Sequence, residues 1–200
     1  MKRYAFIDVQ NTDTTSKKLL GFEIDWKRMH EFLKKDWQCA EVFLYIGVDE
    51  GDIETTQTLE DLEKDGCMVR AKTVFAYKNK DKNLQVLCPA CQHQFIEHID
   101  MGYNRKSNCD VDLTVDAMDL ASSSSEFYIF TGDGDFEFLV RKLNAKGTKV
   151  HIVSSAKKIK SGPRYFTSRF STKLRKLVSE NSGLVDFINI DNLRYKVQKM

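Results

Sequence analysis

Residues 127–154 read FYIFTGDGDFEFLVRKLNAKGTKVHIVS, and the order of events within them decides the fold. The apolar run 127–130 is a short buried strand. TGDGD (131–135) follows as turn chemistry, its glycines letting the backbone bend tightly. A helix then spans 136–144, Gly147 closes it, and KVHIV (149–153) is again a strand. A strand, a helix and a strand joined this closely make a right-handed crossover between parallel strands.

The same alternation extends outward on both sides. YAFIDV (4–9) and EVFLYIGV (41–48) read as strands, and residues 67–77 as a third, rich in β-branched and aromatic side chains. Helices fit 25–37, with Asp25 as N-cap and Met29, Phe32 and Leu33 inward, and 54–64, with Leu59 and Leu62 inward and Gly66 at its end. A further helix, 109–121, offers Val111, Val115 and Met118 to the core, another covers 171–180, and 185–190 is a last short strand or turn. One stretch breaks the rhythm. After a polar turn at 78–83, residues 84–101 contain LQVLCPACQHQFIEHI, a β-hairpin pattern. The expected architecture is α/β: a parallel sheet with helices on both faces and an inserted β-hairpin at about 78–104, residues 1–200 forming one domain.

The totals agree with that reading. Two hundred residues at 42% hydrophobic fill one sizeable core, and 30% charge with 10 Gly and 2 Pro excludes a disordered or linker-rich chain. No apolar run approaches the ~20 residues a membrane span requires. The opening MKRYAFIDVQN has no long apolar stretch of the signal-peptide kind, so a cytosolic location is expected. Five cysteines, an odd number, argue against a disulfide framework. The net charge of +2 hides an asymmetry: residues 157–200 carry eleven Lys and Arg against three Asp and Glu, leaving the body acidic. Such a division suits carboxylates that hold metal and a basic end that holds phosphate; it equally suits a solvated C-terminal helix.

In open parallel sheets, ligands bind beyond the carboxyl ends of the strands. Asp8 ends the first strand, with Asn11 close behind. Thr131, Asp133 and Asp135 follow the strand at 127–130, and Asp110 begins the helix preceding that strand. Farther along this helix, Asp112 and Asp116 share a face that Asp110 does not. Taken singly, each Asp reads as well as a helix cap, Asp135 before Phe136 especially. Taken together, carboxylates at one edge repel one another unless a cation joins them, and hard divalent ions take oxygen ligands. The chemistry that follows is metal-assisted phosphodiester hydrolysis.

FIDVQN (6–11), NCDVDLTVDAMDLA (108–121) and residues 130–154, in this order and spacing, resemble the NYN family of PIN-like nucleases, its LabA-like branch in particular. The likeness covers about three-quarters of the chain. It implies a PIN-like Rossmannoid fold and a ribonuclease using Mg²⁺ or Mn²⁺ held by Asp8, Asp110, Asp133 and Asp135. Asn11 would orient substrate or water, with Asp116 and Thr131 as secondary members. Two departures stand out: Cys109, where the family often has Val, and the extra hairpin. A non-catalytic module binding RNA or protein is the alternative, and a phosphatase or a nuclease of structured DNA shares the same metal logic.

Two features lie outside those motifs. CPACQH (Cys88, Cys91, His93) has the look of one structural Zn²⁺ knuckle, with the other half not evident and Cys67, His98 and Cys109 as candidates at irregular spacings; a redox pair or two plain thiols are the alternatives. Between 157 and 176 stand eight Lys or Arg and no acid. Lys157, Lys158, Lys160, Arg164 and Arg169, with Tyr165, Phe166 and Phe170 interleaved, match the way single-stranded RNA is held. The spacing of Phe166 and Phe170 also fits a helix packed on the core. Whether the hairpin clips zinc or joins two copies into a homo-oligomer stays open.

Overall fold

Apolar side chains on both faces of the first strand set the plan of the molecule. In β1 (Lys2–Asp8), Tyr4 and Phe6 point to one side and Ala5 and Ile7 to the other, all buried. Such a strand needs cover above and below. The structure, a computed structural model, describes residues 1–160, 166–181 and 183–200. Beyond β1 the chain turns at once into α1 (Val9–Thr14) and a π-helical turn, Thr15–Leu20. Then come α2 (Trp26–Lys35), β2 (Glu41–Val48), α3 (Ile53–Lys64) and β3 (Met68–Thr73). Next come β4 (Phe75–Lys78), β5 (Lys82–Leu87), β6 (Gln94–Ile99) and β7 (Tyr103–Lys106), which stand apart from the main sheet. The second half runs α4 (Asp110–Leu120), β8 (Ser125–Phe130), α5 (Glu137–Ala145), β9 (Lys149–Ser154), β10 (Lys158–Lys160), β11 (Phe166–Ser168), α6 (Thr172–Glu180), β12 (Val185–Asn189) and α7 (Arg194–Val197).

Six strands form one sheet in the order β12-β9-β8-β1-β2-β3, every pair parallel. The chain steps outward from β1 through β2 to β3, returns to the other side of β1, and steps outward again through β8, β9 and β12. The direction of winding therefore reverses between β1 and β8. At such a reversal the connections leave in opposite directions and a crevice opens beyond the strand ends.

Each face of the sheet has its own core. Ala5, Ile7, Val42, Leu44 and Phe130 pack under α2 and α3 with Met29, Leu33 and Leu62. Phe6, Phe127, Ile129, Val150 and Ile152 pack under α4, α5 and α6 with Leu113, Leu143 and Leu174. Side chains this deeply buried contribute roughly 1.5–3 kcal/mol each in apolar transfer.

Four sequence expectations change. Residues 10–24 carry no element in the sequence reading, yet α1 and the π-helical turn lie there. Its Thr, Asn and Asp residues are poor helix formers, and Asp8, which accepts from Asn11 N–H, caps α1. Residues 67–77 are not one strand: Val74 N–H turns to Val48 O at 2.9 Å, after which β4 leaves the sheet to pair with β7. In α4 the inward face is Leu113 and Ala117, whereas Val111 and Val115 are 66% and 52% exposed. Among the described residues of the basic stretch, none before Ser171 is helical; β10 and β11 pair antiparallel there.

Two glycines admit close approach. A Cβ on Gly132 would lie 2.1 Å from the carbonyl oxygen of Arg169, and one on Gly47 would lie 1.6 Å from Ser107 Oγ. The first lets the basic stretch settle against the TGDGD turn, and the second seats the end of the β4–β7 ribbon on β2. Among the described residues, no helix is long and apolar enough to cross a membrane.

Candidate active site

A cleft of about 370 Å³ opens beyond the carboxyl ends of β1, β2 and β8. Three of the carboxylates named above line it, from three separate stretches of chain: Asp8, Asp110 and Asp133. Asp8 comes off the end of β1, where the strand's alternation gives way to α1. Its Oδ1 accepts the Asn11 N–H at 3.1 Å and its Oδ2 accepts the Thr131 hydroxyl at 3.2 Å. Thr131 Oγ1 also accepts the Asp133 N–H at 3.2 Å, linking one acid to the backbone of the next. Asn11 ties the two loops together, its Oδ1 accepting the Gly132 N–H at 2.9 Å. Asp133 caps the turn behind it, its Oδ1 accepting the Asp135 N–H at 3.0 Å. Asp110 opens α4, and its own N–H donates to Asn108 Oδ1 at 2.8 Å.

The charges act on one another. Burial pushes the Asp8 carboxyl up to about 6; the Asn11 N–H opposes that rise, while the charges of Asp110 and Asp133 add to it. The Asp110 carboxyl is raised too, by burial first and then by Asp133 and Asp135. Against the three carboxylates lining the cleft, Arg169 is the one basic side chain among the described lining residues. The acids farther along α4 differ. Asp112 pairs with Lys72, and Asp116 accepts from Tyr45 Oη at 2.9 Å and Arg70 Nε at 3.1 Å. Those two are neutralised by the protein itself.

The cap readings hold alongside the cleft reading, since Asp8 and Asp133 both cap turns and both line the cavity. Asp133, rather than Asp135, takes the capping position before Phe136. Asp135 is exposed and does not line the cleft, although its charge reaches Asp110. Among the described residues, no three His, Cys, Asp or Glu side chains converge tightly enough to hold an ion by themselves. The all-oxygen donor set nevertheless fits a hard divalent cation, which commonly takes one or two carboxylates and completes its shell with water and phosphate oxygens.

Of the basic residues, Arg169 stands at the cleft, and exposed Lys157 reaches Leu19 O at 3.4 Å. Lys158 and Lys160 are exposed on β10. Arg164 and Tyr165 lie outside the described residues, as does the Phe166 side chain. Phe170 is buried against the Phe187 ring at 4.5 Å, so it packs in the core and offers no face to a base. Gln10, Thr14, Tyr45 and Asn108 also line the cleft and were not singled out in the sequence. Asn108 had a signal, a capping side chain just before an acidic helix start; the others had none.

Cys88 and Cys91 lie at the tip of the β5–β6 hairpin. The Cys88 thiol is held below its usual range by the backbone N–H of Cys91, then by that of Ala90 and the Cys91 side chain.

Comparisons with known proteins agree with this architecture. The protein VPA0982 of Vibrio parahaemolyticus, described as of unknown function, superposes with a TM-score of 0.61 over 96% of this chain and 93% of its own, at 19% identity. The low amplitude and bright protein LabA of Synechococcus elongatus is 32% identical over 68 residues, 34% of this chain. That match spans 37% of LabA. The sequence profile of the NYN domain matches residues 3–172, and the chain therefore belongs to the NYN domain family.

Proposed function

We propose that this protein is a divalent-metal-dependent ribonuclease whose cleft, rimmed by Asp8, Asp110 and Asp133, takes the scissile phosphate of an RNA strand. The observation that carries the reading is the charge imbalance: three carboxylates face one arginine, and the protonation of two of them is raised by burial and by their neighbours. A group of acids left in that condition is completed by a cation. Membership of the NYN family, whose members are generally nucleases, supports the same class.

A bound Mg²⁺ or Mn²⁺ would supply an activated water and neutralise charge building on the phosphate. Asp8, Asp110 and Asp133 would hold it, with Asp135 contributing negative field from outside the cleft. Thr131 and Asn11 act as positioning residues. The Thr131 hydroxyl fixes the Asp8 carboxylate, and the Asn11 side chain fixes the Gly132 amide and with it the 131–135 turn. Asp116, balanced by Arg70 and Tyr45, steadies α4 behind the cleft. Arg169 is placed to meet a phosphate oxygen, and Lys157, Lys158 and Lys160 extend the basic track for a single strand.

The test is turnover of labelled RNA by the purified chain with Mn²⁺, with Mg²⁺ and with EDTA. Cleavage requiring metal and lost in Asp133→Asn, at unchanged circular dichroism, is the expected result. Full activity in that variant, or in EDTA, overturns the proposal. One observation favours a second reading, an RNA-binding module without catalysis: the acids stand around the cleft without meeting at a point. RNA retention without turnover in either metal would support that reading.

A further inference from the structure

The ribbon that leaves the sheet at Val74 ends in a turn with its own chemistry. Cys88 N–H donates to His93 O and Gln92 N–H to Cys88 O, each at 2.9 Å, and Gln92 adopts φ 62°. The turn thereby folds back on itself and directs the amides of Ala90 and Cys91 at the Cys88 sulfur. Two sulfurs presented across such a turn are half of a tetrahedral thiolate site, and a closed structural site has four ligands.

This chain does not complete it. Cys39, Cys67 and Cys109 are buried in the two cores. Cys67 donates to Val42 O at 3.4 Å, and Cys109 lies 3.7 Å from Ile46 O. His30 and His151 are buried in the body, His98 is held by Asn83 Oδ1 at 2.6 Å, and His93, exposed in the same turn, forms no three-ligand group with the two cysteines. Among the described residues, no third His, Cys, Asp or Glu joins the pair. The six residues outside the description, 161–165 and 182, include none of these types.

A second observation concerns what covers the ribbon. Leu84, Leu87, Phe95 and Ile96 are between 43% and 56% exposed. The pairing of Val86 with Phe95 and of Gln85 with Ile96 distributes them over both faces. An isolated two-stranded hairpin is marginal in water, and each face leaves two large apolar side chains, Leu84 and Phe95 on one and Leu87 and Ile96 on the other, open to a partner. A twofold dimer presents the same patch twice and so supplies both missing halves at once: two more thiolates and an apolar flank.

We propose that the ribbon tips of two copies of this chain meet on one Zn²⁺, bound by Cys88 and Cys91 of each copy, with the apolar flanks packed beside it. The four thiols release four protons as the ion binds, giving a tetrathiolate with no redox change.

The experiment uses the full chain, reduced and stripped of metal, with zinc added stepwise while mass is followed by light scattering after gel filtration. The mass should double with zinc at about one ion per two chains, revert on chelation, and stay single in the Cys88→Ser, Cys91→Ser double variant at unchanged circular dichroism. Co²⁺ in place of zinc should show the sulfur-to-metal absorption of four thiolates. Binding of one ion per chain without a change of mass, no binding at all, or equal doubling in the double variant each overturns the proposal. None of these readouts depends on RNA cleavage.

Discussion

Asp8 concentrates the conflict between folding and chemistry in one side chain. Its carboxyl is raised from an ordinary 3.8 to about 6. A raised acid contributes its stabilisation fully below the unfolded value and loses it as pH climbs through the folded one. Between about pH 4 and 7 the ion-free protein should therefore lose on the order of 2–3 kcal/mol through this group alone. Asp8→Asn removes the titration and keeps an oxygen to accept the Asn11 N–H, while its amide NH2 faces Thr131 Oγ1 as a donor. Its melting temperature, in EDTA, should exceed the parent's by several degrees at pH 7.5 and match it at pH 4. Equal melting at both values would show that Asp8 carries no such burden. Gly132→Ala drives a Cβ into the Arg169 carbonyl, 2.1 Å away. We expect about 1–3 kcal/mol of destabilisation in denaturant titration, with cleavage reduced because the turn holding Asp133 must shift. At this scale the sequence was informative where an acid ended an apolar strand, as Asp8 does. It was less so for Asp133 and Asp135, two residues apart in a turn, because which one caps and which one lines the cleft depends on the backbone path.

The elements divide by how strongly local pattern determined them. The helix faces of α2 and α3 were legible, since Met29, Phe32, Leu33, Leu59 and Leu62 keep one spacing and one side. In α4 the pattern misled: Val111 and Val115 compete with Leu113 and Ala117 for the inward face. What decides it is the opposite flank, where Asp112 and Asp116 meet Lys72 and Arg70 on β3. Only long-range contacts carry that information. The ribbon root was hidden for a similar reason, because YNRK in β7 is polar and gains strand character from its partner FAYK. Two predictions belong to elements. Leu174, wholly buried on α6, should cost about 2–5 kcal/mol as Ala in denaturant unfolding. The β10–α6 connection should act on binding: Arg169→Ala together with Lys158→Ala should raise KM for RNA, leave kcat nearly unchanged, and flatten its dependence on salt. A fall in kcat with constant KM would assign Arg169 to the reaction centre.

The whole molecule is two half-sheets wound in opposite directions from β1, with the cleft at their junction. The sequence reading anticipated a parallel sheet and acids at its carboxyl edge; strand order, and hence the adjacency of Asp8 and Asp133, emerged only from the pairing of β1 with β8. Metal should accordingly stabilise the protein as a unit. Millimolar Mg²⁺ or Mn²⁺ at pH 7.5 should raise the melting temperature of the parent chain and do so less in Asp8→Asn, as ligand linkage requires.

The seat of Ser107 on Gly47 bears on the breadth of the opening. Gly47 and Ser107 both border the cavity, packed against each other, and Asp110 stands three positions beyond Ser107. A single methyl group added at Gly47 would push Ser107 off β2 and shift that part of the lining. The width of the cleft is thus gauged by one hydrogen atom.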